Sequence, residues 1–198
     1  MEHSQQLIDI LHVCHMWEIR PGIEFASTAL VNFDLRPAFC LYLARRYNLL
    51  NWVPIHIRTL LSSPLLQYIE SITDNFDFEL YTIIATAKEC IEIERKRLGN
   101  FPPFPKNFDD QPFCTQHGIC KKVWSEKWFC VISRRIHHPV DPLPLSSVPK
   151  ALLEQDHRGM NPECKRSIMN WLMDSCDQVQ KEETIIQETI AAVCTLFT

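Results

Sequence analysis

The placement of thirteen prolines constrains this 198-residue chain more than any other feature of the sequence. Pro21, Pro37 and Pro162 each stand at the start of a segment whose apolar residues recur at helical spacing. Proline costs little in the first turn of a helix, because its missing N–H would have no partner there. Other prolines cluster at 101–113 and 139–149, where a helix cannot continue. Since no convincing alternating run occurs, we predict an all-α fold, an irregular multi-helix bundle with proline-rich connectors.

The apolar periodicity predicts a helix in each segment between these breaks. We expect Gly99 to follow the end of the clearest helix, and Asn161 to cap a helix that has Pro162 at its first position. The predicted helices cover, approximately, residues 4–19, 21–31, 37–47, 51–60, 65–69, 74 or 76 to 98, 121–137, 151–155, 162–172 and 178–196.

A stretch rich in proline and phenylalanine divides the chain into three predicted regions. Residues 1–100 form a helical region, 101–113 form the connector, and 114–198 form a second helical region with a candidate zinc site. Leaving the connector phenylalanines in water would forfeit about 1.5–3 kcal/mol each, so we expect them to lie against the helices. Trp124 and Trp128 are four residues apart on one predicted helix face, where they clamp neighbouring helices or cover the connector.

Composition and charge argue against several classes of function. The net charge is −4, so the chain has no basic excess for binding a nucleic-acid backbone. No apolar run is long enough to cross a bilayer, which argues against a membrane partner. The N-terminal sequence MEHSQQLIDIL lacks the basic region and the continuous apolar run of a secretory signal. The number of cysteines is nine, which is odd. The odd count and the absence of a secretory signal together predict reduced thiols and a cytoplasmic or nuclear location.

The sequence Cys114-x2-His117-x2-Cys120 is the sharpest group of residues that could carry chemistry. Zn²⁺ takes four tetrahedral nitrogen or sulfur ligands, and closely spaced residues on a loop can supply two or three of them. We expect Gly118 to let the backbone turn between these ligands. The competing interpretation is two half-buried thiols and a surface histidine on a connector.

A fourth zinc ligand must come from a distant part of the chain. Cys164 is our first choice, because it lies at a predicted helix start, where the helix N-terminus favours a thiolate. Cys130, His137 and His138 are the alternatives. A site with four protein ligands would be structural, since it has no open position for water.

A cysteine-dependent enzyme is the alternative from another functional class. A nucleophilic cysteine needs a thiolate, a neighbouring histidine and a group that orients the histidine. Cys14 with His12 and His15, or Cys130 with His137, supply these residue types. Such neighbours arise by chance in a chain with this many cysteines and histidines, so we predict no catalysis and no catalytic residues. A third interpretation, a zinc-stabilised domain that contacts nucleic acid, is disfavoured by the net charge.

Several stretches of the chain carry a resemblance to a known family. They are MWEIRPGIEFASTAL at 16–30, LARRYNLLNWV at 43–53, IIATAKECIEIERKRL at 83–98, CTQHGICKKVWSEKW at 114–128, DPLPLSSVP at 141–149 and GMNPECKRSIMNWL at 159–172. On the first three stretches, Leu7–Pro103 resembles the helical region that follows the BTB/POZ core in BTB-domain proteins of mushroom-forming (basidiomycete) fungi, and the last three extend the resemblance over most of the chain. The resemblance implies a non-catalytic protein-interaction scaffold or adaptor whose partners are other proteins. The sequence has no counterpart of the BTB core sheet, which carries the family's dimerisation and cullin-binding surfaces, so we expect a fold without that sheet.

Overall fold

The computed structural model describes residues 2–63 and 78–198. Within these residues every regular element is a helix and no strand occurs, which confirms the predicted all-α fold. The chain divides into two compact units, of which the first is Met1–Thr86 with Glu188–Thr198 and the second is Ala87–Gln187. The predicted division of the chain into residues 1–100, 101–113 and 114–198 stays a prediction.

The helices of the first unit begin where the prolines predict. Pro21, Pro37 and Pro54 each occupy one of the first two positions of a helix, where no N–H donor is needed. These helices are α1 (Glu2–Met16), α2 (Arg20–Leu30), α3 (Pro37–Tyr47) and α4 (Val53–Ser62), the last preceded by a 3₁₀ turn at Leu50–Trp52. Asn48 ends α3 in the left-handed region (φ 54°), with its N–H donating to the carbonyl oxygen of Ala44.

The apolar faces of these helices form the core of the first unit. Its fully buried side chains include Leu11, Leu30, Leu41, Ile57 and Leu60. The predicted helix at 65–69 lies outside the described residues, as does the predicted start of the next helix at 74.

The next helix, α5 (Phe78–Asn100), runs past the glycine that was expected to follow its end. Gly99 is itself helical, so the prediction that it ends the helix is wrong. The glycine instead permits a close contact, because a Cβ atom at this position would overlap the imidazole ring of His137. The end of α5 is capped by Trp128, whose Nε1–H lies 3.2 Å from the carbonyl oxygen of Leu98 and 3.3 Å from that of Gly99.

The second unit continues with helices around one apolar core. They are α6 (α-helical at His117–Lys127, π-helical at Trp128–Ser133 and α-helical again at Arg134–Ile136), a 3₁₀ turn at Leu145–Ser147, α7 (Val148–Leu153), α8 (Pro162–Asp174) and α9 (Asp177–Phe197). Helix α6 begins at His117, ahead of the Lys121 that the periodicity predicts. The predicted cap of α8 is confirmed, since Asn161 Oδ1 accepts the N–H of Glu163 at 2.8 Å.

The π-helical turns explain how α6 keeps four large side chains in the core. Trp124, Trp128, Ile132 and Ile136 recur every four residues, and none is more than 1% exposed. In a regular α-helix such positions drift around the axis by about 40° per step, since one turn takes about 3.6 residues. The wider π turns rotate the later positions back toward the core. The indole rings of Trp124 and Trp128 lie 6.3 Å apart, which confirms their predicted shared face.

The connector contains turns and no helix, and part of it packs on the core of the second unit as predicted. Phe108 is 1% exposed, and Phe104 packs against the same cluster with its ring 5.7 Å from that of Phe108. Phe101 is 71% exposed, so the expectation that all the connector phenylalanines pack inward is wrong for this residue. Phe113 lies at the rim, with its ring 6.2 Å from the ring of His117. The docked connector therefore leads directly into the predicted zinc motif.

Candidate metal centre

Three elements of the second unit bring the predicted zinc ligands together. Cys114 directly follows the connector and precedes the start of α6 by three residues. His117 and Cys120 lie in the first turns of α6, where residues three apart share a face. Cys164 lies in the first turn of α8. Gly118 is inside α6, so the prediction that it turns a loop between the ligands is wrong; the helix itself sets their spacing.

The donor atoms lie at distances that suit a tetrahedral metal ion. One ligand atom from each of Cys114, His117 and Cys164 lies within 4.8 Å of the other two, and Cys120 is not part of this mutually close group. His117 Nδ1 is 3.7 Å from Cys164 Sγ, and Cys114 Sγ is 3.9 Å from Cys120 Sγ. Zn–S bonds of about 2.3 Å and a Zn–N bond of about 2.0 Å give tetrahedron edges of about 3.8 Å between sulfurs and about 3.5 Å between sulfur and nitrogen. Both separations therefore lie close to the edges of a zinc tetrahedron.

Hydrogen bonding determines which nitrogen of His117 faces the cluster. Its Nε2 lies 2.9 Å from the carbonyl oxygen of Gln111, which can only accept, so Nε2 carries the proton. In the neutral ring this leaves Nδ1 as an acceptor, and Nδ1 faces the sulfur of Cys164. Edge contacts with the rings of Phe108 (5.0 Å) and Phe113 (6.2 Å) hold the imidazole in this orientation. Histidines that bind metals are commonly oriented in this way, by donating their second N–H to a carbonyl.

Backbone N–H groups donate to two of the three sulfurs. The N–H of Gln116 donates to Cys114 Sγ at 3.3 Å, and the N–H of Asn161 donates to Cys120 Sγ at 3.4 Å. The first of these bonds is the main reason that the pKa of Cys114 is lowered. Burial raises the pKa of Cys164, and its hydrogen bonds to the other two thiols raise that pKa further. A bound cation would reverse this preference for the protonated form, because metal ligation deprotonates a thiol.

The alternative fourth ligands lie elsewhere in the second unit. Cys130 is exposed on α6, and His137 packs against α5. Nδ1 of His138 accepts a nearby backbone N–H at 3.0 Å. Among the candidates that the sequence offered, Cys164 is therefore the one that joins Cys114 and His117. In the described ranges no other group of three His, Cys, Asp or Glu side chains could hold a metal ion. That the four residues bind an ion stays a prediction.

Two backbone groups complete the cluster, and sequence analysis found neither of them. The carbonyl of Gln111 orients His117, but a backbone group carries no signal of residue type, so the sequence could not identify it. Asn161 was recognised as a helix cap. An N-cap residue lies beside the first turn of its helix, and the first turn of α8 contains Cys164. The position of Asn161 could therefore have indicated that its backbone N–H lies near the sulfurs of Cys164 and Cys120.

The cysteines of the enzyme alternative have no hydrogen bond to a histidine in the described part of the chain. His12 and His15 instead pack around Tyr47, with His12 Nδ1 3.4 Å from the phenolic oxygen and the His15 ring 5.3 Å from the phenol ring. The thiol of Cys14 packs closely on Gly22. The described geometry therefore places neither Cys14 nor Cys130 in hydrogen-bond contact with the histidines that the sequence offered as its partners.

Comparison of the chain with protein-family models, curated proteins and solved structures finds no match. None of the described helices has the length and apolar character that crossing a membrane requires. The feature of the described residues that carries most chemistry is the cluster of three cysteines and one histidine.

Proposed function

We propose that the second unit is a zinc-stabilised helical module, and that the protein acts as a non-catalytic scaffold or adaptor for other proteins. The observation that carries this proposal is the close group of Cys114, His117 and Cys164, with the sulfur of Cys120 beside that of Cys114. Three thiolates and one imidazole form a ligand set typical of structural zinc sites. Magnesium and calcium prefer oxygen ligands, so the cluster favours zinc over the common hard cations.

The ligand set supports a structural role for the ion. Catalytic zinc sites keep one coordination position for water, whereas four protein ligands leave none. One ion bound here would join the connector, the start of α6 and the start of α8. Because such a site does not exist in the unfolded chain, the free energy of zinc binding would add to the stability of the second unit.

The adaptor role is supported by the family resemblance. Leu7–Pro103 resembles the region after the core of fungal BTB proteins, which act as adaptors without catalysis. The net charge of −4 favours protein partners over nucleic acid. We therefore propose a fungal BTB-like interaction protein of the cytoplasm or nucleus.

A capture experiment with matched variants tests the adaptor role. Zinc-loaded wild type, Cys164→Ser and Cys130→Ser are used as baits in a lysate of a mushroom-forming fungus, and bound proteins are identified by mass spectrometry. We expect the wild type and Cys130→Ser, whose cysteine is exposed outside the cluster, to enrich the same partner. Cys164→Ser should lose that partner, because its second unit lacks the ion. No enrichment by the wild type, or equal enrichment by Cys164→Ser, would contradict the proposal.

Electrophile labelling separates this proposal from the enzyme alternative. An activated nucleophile reacts stoichiometrically with iodoacetamide in the folded protein, because its thiolate is both populated and accessible. We expect zinc-loaded protein to show no such selective labelling at Cys14 or Cys130. Selective and complete labelling of either residue would favour the enzyme.

A further inference from the structure

The three sulfurs of the cluster differ in their access to solvent. Cys120 is 2% exposed and Cys164 is 0% exposed, whereas Cys114 is only partly buried. Cys114 also lines an open cavity of about 230 Å³ together with Phe113, Ile119 and Cys120, of which Cys120 is nearly buried. A small solute in this cavity therefore reaches the sulfur of Cys114 before it reaches that of Cys164.

A second thiol lies beside the accessible one. The sulfur of Cys120 is 3.9 Å from that of Cys114, and a disulfide needs this separation to shrink to about 2.05 Å. Cys114 lies between the connector and α6, outside any helix, so its backbone is free of the helical hydrogen bonds that hold Cys120 in α6. Cys164 is less suited as a partner, because its sulfur is fully buried against Nδ1 of His117.

From this arrangement we infer that Cys114 is a site of reversible oxidation by hydroperoxides, and that a Cys114–Cys120 disulfide opens the metal centre. The inference rests on the proposed zinc site. Loss of Cys114 and Cys120 as ligands leaves only His117 and Cys164, and two protein ligands do not retain the ion. The protein would then lose the link between the connector, α6 and α8 under oxidising conditions.

The chemistry balances with hydrogen peroxide as the oxidant. The Cys114 thiolate attacks one peroxide oxygen, the S–O bond forms as the O–O and Zn–S bonds break, and the products are a sulfenic acid and hydroxide. The Cys120 thiolate then attacks the sulfenic sulfur, so the S–S bond forms as the S–O bond and the Zn–S bond of Cys120 break, and a second hydroxide leaves. The two sulfurs together lose two electrons, which reduce the peroxide, and Zn²⁺ leaves without a change of oxidation state.

Peroxide titration of the full-length, zinc-loaded protein tests this inference. Released zinc is measured with a chromogenic chelator, sulfenic acid is trapped with a dione reagent, and disulfides are mapped by mass spectrometry of unreduced peptides. We expect one zinc to leave as one Cys114–Cys120 disulfide forms, with sulfenic acid trapped first at Cys114. A thiol reductant and added zinc should restore the starting state.

Two variants sharpen the test. Cys90→Ser/Cys130→Ser removes exposed thiols outside the cluster and should release zinc at the wild-type rate. Cys114→His keeps a nitrogen ligand at the accessible position but removes its sulfur, so zinc release by peroxide should be about tenfold slower. If Cys114→His does not bind zinc, the order of oxidation in wild-type peptides still decides the question.

The outcomes separate this inference from the function on which it rests. Zinc-loaded protein that is oxidised first at Cys120 or Cys164, or that keeps its zinc while Cys90 and Cys130 react, overturns the inference alone. Purified protein that contains no zinc overturns the proposed function and this inference together.

Discussion

Replacing Glu182 by glutamine tests the buried ion pair between α5 and α9. Arg95 Nη2 donates to Glu182 Oε1 at 2.5 Å, and the N–H of Leu145 donates to Oε2 at 2.8 Å. The two charged side chains are only 8% and 10% exposed, so solvent screens their attraction little. Glu92 is also 3.5 Å from Arg95, but its side chain is 57% exposed. Glu182 is therefore the main partner of a buried guanidinium.

We expect Glu182→Gln to lower the free energy of unfolding by about 3 kcal/mol. Removing one partner of a buried pair costs roughly 3–5 kcal/mol, because the other charge stays buried without compensation. The lower end applies here, since Glu92 still faces Arg95 and the glutamine carbonyl can still accept the N–H of Leu145. Urea unfolding followed by tryptophan fluorescence measures this loss, and thermal unfolding should show a Tm lower by roughly 6–12 °C.

An exposed pair and a charge-free pair provide the controls. Arg158 is 2.7 Å from Asp156 but is 92% exposed, so Arg158→Gln should cost less than about 0.5 kcal/mol. The double variant Arg95→Met/Glu182→Gln should lie within about 1 kcal/mol of the wild type, because it leaves no charge buried and keeps an acceptor for the N–H of Leu145. A loss below about 1 kcal/mol in Glu182→Gln, or a double variant as unstable as the single one, would refute the reasoning.

Three further predictions concern helix ends and pH. Trp128→Phe should cost about 2 kcal/mol in urea unfolding, because the end of α5 loses its indole donor and the core loses volume. Asn161→Ala should cost about 1 kcal/mol through the lost N-cap, with zinc content unchanged in elemental analysis. Burial lowers the pKa of His157 in the folded protein. As the pH falls through about 6.5, the unfolded chain therefore binds a proton at His157 before the folded protein does, and the free energy of unfolding decreases. His157→Phe should weaken this acid-side loss between about pH 7 and 5.5 in urea midpoints, and an unchanged slope would contradict the assignment.

Local chemistry explains which parts of the fold the sequence predicts. Pro21, Pro37 and Pro162 lie at helix starts because proline fits a first turn and no later one, so their positions carry direct structural information. The prediction failed at Gly99, where a close contact with His137 requires the glycine and the helix continues through it. Contacts between residues distant in sequence leave no local signal of this kind.

The same distinction applies to the candidate metal centre. The spacing of Cys114, His117 and Cys120 is local, and it marked these residues as candidate ligands. Cys164 was selected because it lies at a helix start, and the structure places it beside His117. The carbonyl of Gln111 could not be predicted, because its role depends on how the connector packs and not on its side chain.

Zinc content with and without chelation tests the central claim most directly. The protein is purified without chelator, its zinc is measured by elemental analysis, and its Tm is recorded before and after treatment with a chelator. We expect one zinc per chain and a lower Tm after chelation, because the ion contributes folding free energy. Cys114→Ser and Cys164→Ser should carry less zinc and melt like the chelated wild type. Wild-type protein with well below one zinc per chain and an unchanged Tm after chelation would contradict the claim, and the four residues would then be ordinary thiols and a histidine.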